Sequence, residues 1–122
     1  MHYKRIELKV TDQGIHERKI FQGVKIFSRS KLSKDQKSIL TQKLYLTPKK
    51  NIVYYQRADI NYDQNWHHNK DYYELTYGQS DRETVFKVCQ DFDDLSPFLE
   101  NELLEKLKEK QSAGTFFEKL DI

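Results

Sequence analysis

The chain of 122 residues has one cysteine, two prolines, four glycines and no long apolar run. Each scarcity excludes something. Cys89 alone cannot close an intramolecular disulfide. A lone cysteine without a secretory leader reads as a reducing, cytoplasmic setting. The first residues, MHYKRIELKV, alternate and contain no apolar leader core. No segment approaches the roughly 20 apolar residues that a membrane-spanning helix requires, so no membrane partner is expected. With so few Gly and Pro there is no linker, low-complexity stretch or internal repeat, and the length suits one domain over 1–122.

What is present is charge and aromatic bulk. Charged residues make up 33% and aromatics 13%, which favours a packed domain over disorder. The charge is unevenly spread. Residues 1–58 hold 14 Lys/Arg against 4 Asp/Glu, and residues 59–122 hold 7 against 15. Such asymmetry fits a nucleic-acid partner for the basic half. It equally fits two halves that fold together and mix their fields, or unlike faces that meet in a dimer.

The first two-thirds read as strands. RIELKV alternates, with Ile6, Leu8 and Val10 on one face. A turn through Asp12 and Gly14 leads to a long strand, RKIFQGVKIFSRS. There Ile20, Val24 and Ile26 share one face and Phe21 and Phe27 the other. Gly23 in its middle predicts a bulge or bend. SILTQKLYLT keeps Leu40, Leu44 and Leu46 in phase, and TPKKN turns the chain into IVYYQRAD. NYDQNWHHNKD reads as a loop. YYELTYG and ETVFKVCQ read as two short strands around GQSDR.

After Phe92 the period changes. Leu95, Phe98, Leu99, Leu103, Leu104 and Leu107 form one helical stripe. Asp93, Asp94 or Ser96 can cap its start, Pro97 fits a first turn, and Gly114 is a natural stop. Glu102 and Lys106 stand four apart in the favourable order. The expectation is therefore an α+β fold: an antiparallel sheet of about five to six strands in meander order, with one C-terminal amphipathic helix on one face. Residues 1–92 are mainly β, 93–113 helical and 114–122 a docked tail. Burying Leu120 or Ile122 would be worth roughly 1.5–3 kcal/mol each, enough to hold a terminus against fraying.

The ending EKLDI resembles the signature of the EXLDI family, small bacterial proteins named for a terminal Glu-x-Leu-Asp-Ile. RKIFQG (Arg18, Lys19, Phe21, Gly23) is similar to the family's basic-aromatic-glycine strand, and LYLTPKKNIVYYQR to its central hairpin. Trp66 is similar to the tryptophan that follows the hairpin, and DFDDLSPFL to the strand-to-helix passage. The resemblance implies no activity. Many members look as if they begin with a ribbon-helix-helix DNA-binding segment, whereas this chain starts directly at HYKRIELKV. No residue is therefore credited with that DNA contact. What the resemblance leaves is a β-domain that senses a partner or dimerises.

Sites are sparse. His67 and His68, near Asp63 and Asp71, are adjacent and so point apart on a strand, which does not suit a metal. No cofactor is expected. Lys49, Lys50, Tyr54, Tyr55, Arg57 and Trp66, with Tyr72, Tyr73 and Tyr77 nearby, are candidates for a nucleic-acid face. The same face could hold a small apolar ligand on a concave sheet. Neighbouring tyrosines on a strand face opposite ways, which weakens the nucleic-acid reading. Cys89 reads as a buried, inert thiol, and Asp91, Asp93 and Asp94 as caps. His2 and His16 have no evident nucleophile beside them. Glu118, Leu120, Asp121 and Ile122 are either a structural latch or a signal read by a partner. The function expected is a small non-catalytic binding or regulatory module. Its partner is an unidentified protein or a second copy in a homodimer, with nucleic acid the alternative.

Overall fold

The computed structural model describes residues 3–34, 36–60, 83–114 and 116. Strand β1 (Lys4–Asp12) turns through Gln13 and Gly14, at φ 50° and 80°, into β2 (Ile15–Leu32). Two successive left-handed residues match the twist of a tight hairpin. Strands β3 (Ser38–Leu46), β4 (Ile52–Ile60) and β5 (Val85–Cys89) follow. The five strands lie in the order β1-β2-β3-β4-β5, each antiparallel to its neighbour. The α+β meander expected from the sequence is thus present. YYELTYG, GQSDR and the loop with Trp66, His67 and His68 lie outside the described residues.

The sheet curls into a half-barrel, and the device is β2. This strand has 18 residues, twice the length of β1 or β3. Its first half pairs with β1, from Asp12↔Ile15 to Lys4↔Gly23. Its second half pairs with β3, from Val24↔Leu46 to Leu32↔Ile39. Gly23 sits at the handover, where a Cβ would lie 2.9 Å from Phe21 Cε2 and 3.1 Å from the Leu46 carbonyl oxygen. The register shifts just beyond, between Lys25 and Phe27. An extra residue bends a strand and increases its twist. The far end of β1 then reaches β5: Thr84 N donates to Thr11 O at 3.0 Å, and Thr11 N to Thr84 Oγ1 at 2.9 Å.

The shift also corrects the alternation read along β2. Val24, Ile26 and Phe27 all pack against one core, so Phe27 does not oppose the other two. Ile20, out on the β1-paired half, is 55% exposed.

The helical segment is not one helix. Asp91 accepts from Asp93 N at 3.0 Å and opens a 3₁₀ turn, Phe92–Leu95. Pro97 brings no N–H, and Glu100 is extended (φ −64°, ψ 147°). Helix α1 starts only at Asn101 and runs to Ala113. Gly114, at φ 69°, ends it by donating to Lys110 O and Gln111 O. Glu100 caps nothing with its side chain, because its carboxylate is held by Arg29, at 2.9 Å from Nη1 and 2.5 Å from Nη2. The apolar stripe survives the break. Leu95, Leu99, Leu104 and Leu107 are buried, with Phe98 and Leu103 packed beside them.

Each sheet face has its own core. The helix side joins this stripe to Leu44, Leu46, Ile52 and Tyr54. The concave side gathers Leu8, Val10, Tyr45, Val53 and Tyr55, with Ile6, Phe21 and Phe86 against them. Phe116 is described and packs near Phe92, with ring centroids 6.4 Å apart. The latch residues Glu118, Leu120, Asp121 and Ile122 lie outside the described residues.

Candidate ligand-binding site

The described residues among those picked from the sequence as a nucleic-acid or ligand face do not converge. Tyr54 and Tyr55 are adjacent on β4, so their rings take opposite faces, and both are buried. Tyr54 lies under the helical segment, stacked on Phe98 with centroids 5.0 Å apart. Tyr55 lies in the concave core, its hydroxyl donating to Lys9 O at 2.7 Å. Arg57 is buried as well, its Nε donating to Asp59 Oδ2 at 2.9 Å. Among the described residues of that set, only Lys49 and Lys50, in the β3–β4 turn, are exposed. Trp66 lies outside the described residues.

Tyr54 is instead the centre of a structural network. Arg29 Nε donates to Gln42 Oε1 at 2.7 Å. Gln42 Nε2 donates to the Tyr54 hydroxyl at 3.0 Å and to Phe98 O at 3.1 Å. The Tyr54 hydroxyl donates to Gln56 Oε1 at 2.5 Å. Burial pushes the Tyr54 pKa up to about 12, so the phenol stays a donor throughout the physiological range. These bonds tie β2, β3 and β4 to the segment before α1. Arg29 also holds the Glu100 carboxyl below its ordinary pKa.

The concave face has a polar end and an open end. At the polar end Ser30 Oγ and Thr41 Oγ1 are 3.0 Å apart, beside the buried Arg57–Asp59 pair and the buried Lys43. At the open end is a cavity of about 580 Å³. Where β3 stops at Leu46, β2 diverges from it, so Arg18–Gln22 border the cavity as one continuous strand segment. Val53, Phe86 and Val88, which share the inner face of β4 and β5, form its floor. The β3–β4 turn closes one side through Thr47, Pro48, Lys49 and Asn51. That turn is rigid: Thr47 N donates to Asn51 O at 3.0 Å and Asn51 N to Thr47 Oγ1 at 3.0 Å.

The lining is mainly apolar and includes two exposed aliphatics: Val88, 56% exposed, on the inner face beside Phe86, and Ile20, 55% exposed, which alternates with Phe21 along β2 and so borders the cavity from the other face of that strand. Cations ring it. Lys19 Nζ lies 5.7 Å from the centroid of the Phe86 ring and 2.8 Å from Glu17 Oε2. Arg18 Nη1 is 3.2 Å from Glu7 Oε1. Sequence reasoning found Lys49 but missed Ile20, Phe21, Phe86 and Val88 as a site. One signal was available: VFKVC is apolar at every position but Lys87, more than a strand with one wet face requires.

Other chemistry-bearing groups are placed otherwise. His16 Nδ1 lies 3.1 Å from Thr11 Oγ1 beside the first hairpin. Cys89 is half-buried rather than fully buried, and loss of solvation raises its thiol pKa, with Asp94 adding to the rise. Among the described residues no group of three or more His, Cys, Asp or Glu is placed to hold a metal ion. No described helix is long and apolar enough to cross a membrane.

No family model, no curated protein and no solved structure matches the chain.

Proposed function

We propose that this chain is a binding module without catalysis, and that its ligand is a small apolar molecule held at the open end of the concave sheet face. One observation carries the reading. The cavity has the size of a small-molecule site, which typically runs about 300–1,000 Å³, and its apolar lining includes the exposed Ile20 and Val88. An exposed valine on the floor of a concavity gains by being covered. The bend at Gly23 and the fixed β3–β4 turn make the shape pre-formed, which lowers the cost of binding. A reducing, cytoplasmic setting belongs to the same reading and rests on the lone thiol. The resemblance to the EXLDI family rests on sequence motifs and adds no ligand.

The nucleic-acid reading has less behind it. The five described residues of that face are dispersed, and several basic side chains answer nearby carboxylates: Arg5 and Arg18 with Glu7, Lys19 with Glu17, Arg29 with Glu100. The last pair joins the basic half to the acidic half.

A neutral environment-sensitive dye such as Nile red tests the proposal. Native protein should bind it saturably. Val88→Glu, at an exposed position, should leave folding intact and weaken the dye about tenfold or more, since it places a charge on the apolar floor. No uptake, or uptake that ignores Val88→Glu, would overturn the reading.

A further inference from the structure

We infer that the ligand of this cavity is an amphiphilic anion: an apolar chain or ring ending in a carboxylate or a similar acid. The inference rests on the binding-module reading above and adds the charge of the ligand to it.

The apolar part is fixed by the floor. Val53, Phe86 and Val88 offer no hydrogen bond to a ligand from their side chains. Phe21 closes the same space from β2, edge-on to Tyr45 with centroids 5.5 Å apart. A polar body would lose its water there without compensation.

The charged part is fixed by the margin. Three cationic residues border the cavity, Arg18, Lys19 and Lys49, and among the described residues no acidic one does. Arg18 alternates with Lys19 along β2, so its side chain lies with Glu7 on the other face of the strand. The nearby carboxylates are Glu7, on Arg18, and Glu17, on Lys19. Counting both, the mouth keeps an excess of one positive charge among the described residues. Among the described residues Lys49 has no carboxylate within ion-pair distance, and it projects from an ordered turn. Lys19 is set against the Phe86 ring, so its ammonium stands directly at the boundary between apolar floor and solvent. A ligand with its apolar end on Phe86 and Val88 would carry its head group to these two lysines. A cationic head group would meet repulsion at the same place.

The choice of partner is therefore between small molecules that differ only in the head group. Octanoate, 1-octanol and octylammonium share one chain and separate the two proposals. Titration calorimetry on the full chain should rank them octanoate, octanol, octylammonium. The first should lead the second by about three- to tenfold, the scale of one to three exposed ion contacts. The lead should shrink as salt is raised. Lys49→Glu should remove it and move the preference toward octylammonium, an inversion that a purely structural lysine would not give. Lys19→Gln is the second variant and should narrow the lead without inverting it. Equal binding of octanoate and octanol would overturn the charge inference and leave the apolar site standing. Octylammonium binding best to the native chain would overturn it also. Failure of all three to bind would overturn the apolar site, and the inference with it.

Discussion

The two faces of this sheet are built from the same strands and differ in what closes them. The helix side is sealed. Phe92, Leu95, Leu99, Leu104 and Leu107 cover Leu44, Leu46, Ile52 and Tyr54, and the polar atoms within are bonded through Arg29, Gln42, Tyr54 and Gln56. The concave side is sealed only in part. Leu8, Val10, Tyr45, Val53 and Tyr55 are buried, but the space next to Phe86 and Val88 stays open. Alternation along β3 and β4 sends Leu44, Leu46 and Tyr54 to one side and Tyr45, Val53 and Tyr55 to the other. One face is wholly core, and the other carries core together with the proposed binding cavity.

Substitutions can separate those two roles. The largest effect belongs to the sealed face. Leu104→Ala removes a buried side chain from the middle of the helix contact and should cost about 2–5 kcal/mol in denaturant unfolding. Octanoate affinity of the folded fraction should not change. A large change in affinity would mean that the faces are coupled.

Gly23→Val probes the hinge between the faces. Its added atoms would crowd Phe21, a flexible neighbour, and the Leu46 carbonyl, a rigid one. Overpacking of this kind costs about 1–3 kcal/mol. Here stability and ligand affinity should fall together, because the same bend shapes the cavity wall. Stability lost with affinity intact would remove the bend from the account of the site.

The smallest effect is on the Arg29–Glu100 pair. The Glu100 pKa is lowered by its bonds to Arg29, so the pair stabilises the fold above the ordinary glutamate pKa of about 4.3. That contribution is lost as pH falls through the lowered folded value. Glu100 is 52% exposed, so solvent screening holds it to under about 1 kcal/mol. In Arg29→Gln, the Glu100 carboxyl should titrate closer to its ordinary range by carbon-detected NMR. A Glu100 titration that ignores Arg29→Gln would show that the fork does not persist in solution.

Much of this was legible from residue order. The Asp12–Gly14 turn, the TPKKN turn, the strands around them and the leucine stripe follow from local chemistry and period. The break at Glu100 was not: there the carboxylate that a capping reading would use is held by an arginine 71 positions away. The phase of β2 was not either, since alternation breaks where the register shifts between Lys25 and Phe27. The site was the least legible part. Tyr54 and Tyr55 attract notice as a pair of aromatics, yet a strand necessarily divides them. The cavity is made where β2 leaves β3, and nothing near Val88 in the chain records that divergence. Lys49 was the one exposed residue common to both readings.

The most direct measurement is amide chemical-shift mapping of the isotope-labelled chain during an octanoate titration. The shifts should concentrate on residues 18–22, the turn at Lys49 and the β5 segment from Phe86 to Val88, with α1 quiet. Shifts centred on α1, or spread evenly over the chain, would contradict a binding face opposite the helix.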